Sequence, residues 1–215
     1  MKNVLITGGT GSLGQRLTER LLVEKGIEEI RVYSRNEKNQ YLMNKKFNAP
    51  RITYIIGDVR DFSKVLEVTK RIDTVIHAAA LKHIDQGEKH PIEFIKTNIQ
   101  GTINIIKACA ARNVKDLIYI STDKACQPAN FYGMTKAIAE RMICGDAKDL
   151  HQTKMYAVRY GNVAGSNGSV IPFFRKMIEE RKSIPVTKKE MTRFFITLDE
   201  AVDTVLFANK HAQHK

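Results

Sequence analysis

No apolar run in the sequence is long enough to span a bilayer, and no cleavable signal pattern follows Met1, so a cytoplasmic protein is expected. Cysteine is scarce. Cys109, Cys126 and Cys144 are odd in number and lack C-x-x-C spacing, which argues against a disulfide framework or a cysteine zinc site and leaves reduced thiols. His83, His90 and His151 have no ligand spacing either, and no metal is expected. Nor does any internal repeat, low-complexity segment or linker divide the chain. Charge of one sign is in excess, at a formal +12, which favours anionic partners such as nucleotides. The basic residues form only short clusters, such as Lys45-Lys46 and Lys188-Lys189, with no aromatic ladder between them to stack bases. Nucleic acid is therefore not the expected partner.

What is present is an alternation. The apolar runs Val4–Ile6, Ile30–Tyr33, Ile52–Ile56, Thr74–Ile76, Leu117–Ile120 and Met155–Val158 suit strands buried on both faces. Helical patterns lie between them, among them Leu13 to Glu24, Pro91 to Arg112 and Tyr132 to Leu150. Strand and helix repeated in this way predict an α/β, doubly wound, Rossmann-like parallel sheet with helices on both faces. After Tyr160 the pattern changes to a Gly-rich loop, a helix from Pro172 to Arg181, a short strand at Arg193 to Thr197 and a closing helix from Leu198 to Asn209. Residues 1–160 are expected to form the dinucleotide-binding core that carries the catalytic groups. Residues 161–215 are expected to be a small substrate-binding cap and not an independent domain.

The first strand runs straight into Thr7-Gly8-Gly9-Thr10-Gly11-Ser12-Leu13-Gly14. Glycines there allow a tight turn and a close approach of backbone to a pyrophosphate at the positive end of the next helix. After the second strand come Ser34 and Arg35, where NAD binding calls for an acidic residue. A hydroxyl and a guanidinium suit a 2′-phosphate, so NADP is expected; the alternative is that Glu37 reaches the ribose and the cofactor is NAD. Asp58 and Val59, after the third strand, are placed at the adenine. The small residues Ala78, Ala79 and Ala80, after the fourth, lie where the cofactor passes. His77 reads as a structural residue.

Tyr132-x-x-x-Lys136 puts a phenol and an ammonium on one face of a helix, where the cation can lower the phenol's pKa and make a proton acceptor for alcohol oxidation. Asp123-Lys124 adds a second acid and base that simple oxidation does not need. Neighbouring residues of a regular strand point to opposite faces, so these two can meet one substrate only if the strand has ended before them.

Together, TGGTGSLG (7–14), GDVRD (57–61), AALKH (79–83), STDKA (121–125), YGMTK (132–136), RYGNVAGSNGSVIPFF (159–174) and MTRFFITLDEAV (191–202) resemble the extended short-chain dehydrogenase/reductase superfamily. Within it, they are similar to the inverting UDP-N-acetylglucosamine 4,6-dehydratases of capsule and flagellin-sugar synthesis. Asn167 and Lys188 depart from the family pattern, which often has arginine and an acid there. The resemblance implies a UDP-sugar substrate, a homo-oligomer, and a redox-neutral lyase in which the hydride leaves carbon 4 and returns at carbon 6. In that scheme Tyr132, aided by Lys136, takes the carbon-4 hydroxyl proton, and Lys124 removes and later restores the carbon-5 proton with inversion. Asp123 protonates the departing carbon-6 hydroxyl, and Thr122 hydrogen-bonds the substrate. By the same resemblance, Lys82 touches both cofactor and sugar nucleotide, Asn162, Ser169 and Val170 line one wall of the pocket, and Thr187, Met191 and Arg193 approach from the other. A sugar-nucleotide 4-epimerase of the same superfamily is the nearest alternative. A non-catalytic NADP- or RNA-binding regulator is the alternative from another class.

Overall fold

A computed structural model describes residues 1–145, 152–165, 170–186, 188 and 190–212. The six apolar runs become β1 (Asn3–Thr7), β2 (Glu29–Ser34), β3 (Ile52–Ile56), β4 (Thr74–His77), β5 (Asp116–Ile120) and β6 (Lys154–Val158). All pair in parallel, in the order β3-β2-β1-β4-β5-β6, so the doubly wound sheet is borne out. From β1 the chain winds outward through β2 and β3, then crosses back to build β4, β5 and β6 on the other side. The strand order thus reverses between β1 and β4, whose carboxyl ends open a crevice.

Side-chain alternation divides the core into two layers. On one face, Val4, Ile6, Ile118 and Ile120 cluster with Leu17 and Leu21 of α1 (Ser12–Val23) and Met43 of α2 (Glu37–Phe47). On the other, Leu5, Leu117 and Tyr119 cluster with Val65 of α3 (Phe62–Val68). After α4 (Ile84–Lys89) and α5 (Pro91–Phe94), α6 (Gly101–Ala111) adds Ile105 to that second layer, and α7 (Phe131–Cys144) adds Ala139 and Ile143. Each fully buried Val, Leu or Ile contributes about 1.5–3 kcal/mol. The core also continues beyond residue 160. After α8 (Val170–Glu179), Val202, Val205 and Leu206 of α9 (Leu198–His211) join the first layer, and Arg16 and Arg20 pair with Asp199 and Asp203 at its rim. A separate parallel pair, β7 (Asn162–Val163) and β8 (Phe195–Ile196), lies near the crevice.

Two helices differ from the expected spans. The stretch Pro91–Arg112 is not one α-helix: between α5 and α6, Ile95–Gln100 winds as a π-helix. Asn98 is buried there, its side chain bonding both the amide and the carbonyl of Leu81 and the hydroxyl of Thr135. The wider π turn brings this amide inward to the β4 loop and to α7. Helix α7 ends at Cys144; the rest of the expected helix, at 146–150, lies outside the described residues. Its start is fixed by Asn130, whose side chain accepts the Gly133 N–H at 2.8 Å, and by Glu88 of α4, which accepts the Phe131 N–H at 2.9 Å.

None of the three cysteines is in a disulfide; Cys109 is buried and the others are exposed. Among the described residues there is no cluster of metal-ligating groups and no helix long and apolar enough to cross a membrane.

Candidate active site

The crevice is a cavity of about 540 Å³. At its floor is the turn from β1 into α1. Gly8 has a φ of 65°, and a Cβ there would lie 2.8 Å from the amide nitrogen of Ala79, so only glycine lets the two loops approach this closely. Thr10, Gly11, Ser12 and Leu13 continue the wall to the start of α1, whose helix dipole favours an anion. Ser34 and Arg35 line the cavity at the end of β2, Asp58 and Val59 beyond β3, and Ala78, Ala79, Ala80 and Lys82 beyond β4. Arg35 and Arg60 flank the Asp58 carboxylate at 3.7 and 3.8 Å, and Arg60 also holds Thr97 and Glu93. Glu37 is not part of the wall.

Behind this wall His77 is fully enclosed between Thr7 Oγ1 at 2.7 Å and Thr102 Oγ1 at 3.1 Å. Burial, with Lys136 nearby, pulls its pKa down to about 3, so it is a neutral structural group.

The chemistry-bearing groups come from the end of β5 and from α7. Strand β5 stops at Ile120, and Asp123–Ala125 forms a single 3₁₀ turn that frees Asp123 and Lys124 from strand alternation. Lys124 Nζ donates to Asp123 Oδ1 at 3.0 Å and to Asn162 Oδ1 at 2.8 Å, while Thr122 Oγ1 donates to Asp123 at 2.9 Å. Thr122, Lys124, Tyr132, Lys136 and Asn162 all line the cavity; Asp123 reaches it through its pairing with Lys124. Burial raises the pKa of Asp123, but hydrogen bonds from Lys124 and Thr122 outweigh it and hold the carboxyl below its ordinary value. The two groups therefore rest as an ion pair, not as the neutral acid and neutral base that their expected roles require.

Tyr132 and Lys136 also depart from the sequence expectation. Burial pushes the phenol up to about 12, partly offset by a hydrogen bond with Thr122, and Lys136 does not pull it down. The Lys136 ammonium donates instead to the Ile120 carbonyl and lies 3.9 Å from the centre of the Tyr119 ring. Its own complete burial lowers its pKa to about 7, a fall that Glu140, one turn further along α7, partly opposes. Glu140 also accepts from Ser121 Oγ and from Arg159, tying α7 to the ends of β5 and β6. Sequence reasoning missed Glu140, although it continues the Tyr132, Lys136 spacing by one more turn.

Of the other expected substrate contacts, Val170 lines the cavity. Met191 and Arg193 are exposed and do not reach it: strand β8 is only two residues long, and Arg193 precedes it, its guanidinium turned onto the Thr192 carbonyl. Phe195 occupies the wall there. Ser169 and Thr187, like Asn167, lie outside the described residues.

Residues 4–215 match the family described as "Polysaccharide biosynthesis protein". The chain belongs to that family, within the extended short-chain dehydrogenases/reductases, as its motifs suggest. It is 48% identical over 208 residues to a UDP-N-acetylglucosamine 4,6-dehydratase (inverting) of Campylobacter jejuni, covering 95% of this chain and 62% of the relative. It is 42% identical over 212 residues to a UDP-glucose 4-epimerase of Rickettsia bellii, covering 96% of this chain and again 62% of the relative. The X-ray structure of Pen from Bacillus thuringiensis superposes with a TM-score of 0.94 at 43% identity, covering 99% of this chain and 68% of that one. This family member thus spans somewhat less than two thirds of the length of the curated relatives it matches.

Proposed function

We propose that this chain carries the catalytic and cofactor-binding part of an NADP-dependent 4,6-dehydratase acting on a UDP-sugar, UDP-N-acetylglucosamine being the first candidate. The observation that carries this reading is the Lys124–Asp123 pair, held beside Tyr132 in one cavity by Asn162. Oxidation at one carbon uses only a phenol and a lysine; a second base and acid are needed when a proton and a hydroxyl must leave adjacent carbons.

The cavity suits the dinucleotide. The Gly8–Ala79 approach leaves room for a pyrophosphate at the start of α1, and Ser34 and Arg35 present donors where a 2′-phosphate would sit. When bound, NADP would take up the hydride from carbon 4 and give it back at carbon 6 within one turnover, and would bring positive charge near the phenol. Tyr132 takes the carbon-4 hydroxyl proton, its phenolate favoured by the Thr122 hydrogen bond and by Lys136 once its ammonium turns from the Ile120 carbonyl toward the phenol. The carbon-4 ketone then acidifies carbon 5. Moving one proton from Lys124 to Asp123 converts the ion pair into a neutral amine and a neutral acid without changing the total charge. Excluding water around the pair favours that neutral form, because desolvation penalises both charges. Lys124 then removes the carbon-5 proton while Asp123 protonates the departing carbon-6 hydroxyl as water. Lys124 returns the proton to carbon 5 from the other face, leaving a 4-keto-6-deoxy sugar.

The second reading, a 4-epimerase, is favoured by the Rickettsia relative's name. It would use Tyr132 and Lys136 but give Lys124 no task. Incubation with UDP-N-acetylglucosamine in deuterated water, followed by mass spectrometry, separates the two. Dehydration removes one water and places deuterium at carbon 5; an epimer of unchanged mass without deuterium would overturn the dehydratase reading.

A further inference from the structure

The hydroxyl of Ser34 is held by a side chain that can only give it protons. Gln40 is 5% exposed on α2, and its side-chain nitrogen meets three acceptors: the Ser34 carbonyl at 3.0 Å, the Ile55 carbonyl at 2.8 Å and Ser34 Oγ at 3.0 Å. Carbonyls accept and never donate, so the two of them fix which way the amide faces: nitrogen, not oxygen, points at Ser34. An amide nitrogen does not accept, and the Ser34 proton therefore cannot be directed back at Gln40. Among the described residues that proton has no acceptor, and Ser34 lines the cavity.

Arg35 beside it is a donor only. The one carboxylate among the described residues lining this cavity is Asp58, already flanked by Arg35 and Arg60. The end of β2 thus offers protons and positive charge, with no free carboxylate. A ribose 2′-hydroxyl has a proton of its own to place and finds no anionic acceptor there. A 2′-phosphate brings acceptor oxygens and negative charge, and it matches both groups.

We infer that Gln40 is a specificity-positioning residue: by keeping the Ser34 proton turned toward the cavity, it sets the end of β2 to prefer a nucleotide bearing a 2′-phosphate. This rests on the NADP reading given above. Gln40 touches no ligand itself and acts through Ser34.

The test is calorimetric titration of NADP and of NAD into the full chain, without turnover. The variants are Gln40→Glu, Gln40→Met, Ser34→Ala and the Gln40→Glu, Ser34→Ala double variant, each checked for cooperative melting. A carboxylate at position 40 accepts the Ser34 proton and turns it away from the cavity. Gln40→Glu is therefore expected to cut the NADP-over-NAD preference about tenfold or more, the size of a lost hydrogen bond to a charged group. Ser34→Ala should do the same by removing the donor, and adding Gln40→Glu to Ser34→Ala should not change the preference further. Should Gln40→Glu fail to fold, Gln40→Met takes its place; it frees the hydroxyl to rotate and should reduce the preference less. Equal losses for both nucleotides, or an unchanged preference, in whichever Gln40 variant folds would overturn the inference and leave the NADP reading standing. A wild-type preference for NAD would overturn the NADP reading itself.

Discussion

The ammonium of Lys136 sits 3.9 Å from the centre of the Tyr119 ring, deep between α7 and β5, with no carboxylate bonded to it. Ring and carbonyl compensate only part of the cost of burying a charge, so the lysine's pKa falls to about 7 from an ordinary value near 10.5. The unfolded chain therefore binds a proton that the folded chain lacks between these values, and stability rises with pH across that window. Lys136→Met is expected to raise the melting temperature at pH 7 and to abolish turnover. Its stabilising advantage should be largest below pH 7 and shrink toward pH 10.5, as the wild-type lysine becomes neutral in both states. Melts of both proteins across this range check it; a pH-independent difference would mean the lysine is not charged at a cost in the fold.

Lys124 is a positioned group and not part of the core, so removing it should separate chemistry from binding. Lys124→Ala is expected to lower dehydration by about 10²–10⁴-fold, the usual worth of a positioned acid or base, and to stop deuterium entering carbon 5, with NADP affinity unaltered. Tyr132→Phe should block the earlier oxidation as well. Exchange at the wild-type rate in Lys124→Ala would assign the base elsewhere.

Two glycines with positive φ make a controlled comparison. Gly8 (φ 65°) faces the Ala79 backbone across the cavity floor, whereas Gly26 (φ 88°) has nothing within 4 Å of where a Cβ would be. Alanine at either position pays about 1–2 kcal/mol for the left-handed backbone. Only Gly8→Ala should also force the β1 and β4 loops apart and weaken NADP binding. Parallel denaturant melts and nucleotide titrations measure both effects, and equal nucleotide affinity in the two variants would argue against a pyrophosphate at this turn.

Much of this was legible in the residues. The strand runs were recognisable because parallel strands buried on both faces are continuously apolar, and the glycine turn because its spacing leaves few other uses. Side-chain direction was not legible. Tyr132 and Lys136 share a helix face, yet Lys136 bends onto Tyr119 and Ile120, because a fully buried ammonium goes to the nearest acceptor and ring. The π turn at Ile95–Gln100 has no composition signal; it follows from the tertiary pull on Asn98. By resemblance Arg193 is expected at the pocket wall, but a strand as short as Phe195–Ile196 does not carry it there. Gln40 carries no signal in the sequence, since nothing in a single sequence shows which polar residue turns inward.

Glu140 ties the site together from behind. Its side chain is 14% exposed, and it joins Ser121, which precedes the Thr122-Asp123-Lys124 turn, to Arg159 at the end of β6. Burial raises its pKa, but the bonds from Arg159 and Ser121 prevail and hold it below its ordinary value. A depressed carboxyl stabilises the fold above its unfolded pKa, and that contribution disappears as pH falls through the folded value. Because the Arg159 side chain is 48% exposed, solvent screens the pair, and Glu140→Gln should cost only about 1 kcal/mol or less at pH 7. Urea melts should show this difference shrinking as pH falls below the ordinary carboxyl range and vanishing once the folded carboxyl is protonated. The larger effect is expected at Lys136, which loses the carboxylate that raises its pKa. The alkaline limb of the pH–rate profile should therefore move to lower pH in Glu140→Gln and return toward its wild-type position in Glu140→Asp. A limb that stays in place in Glu140→Gln would leave Glu140 a role in stability alone.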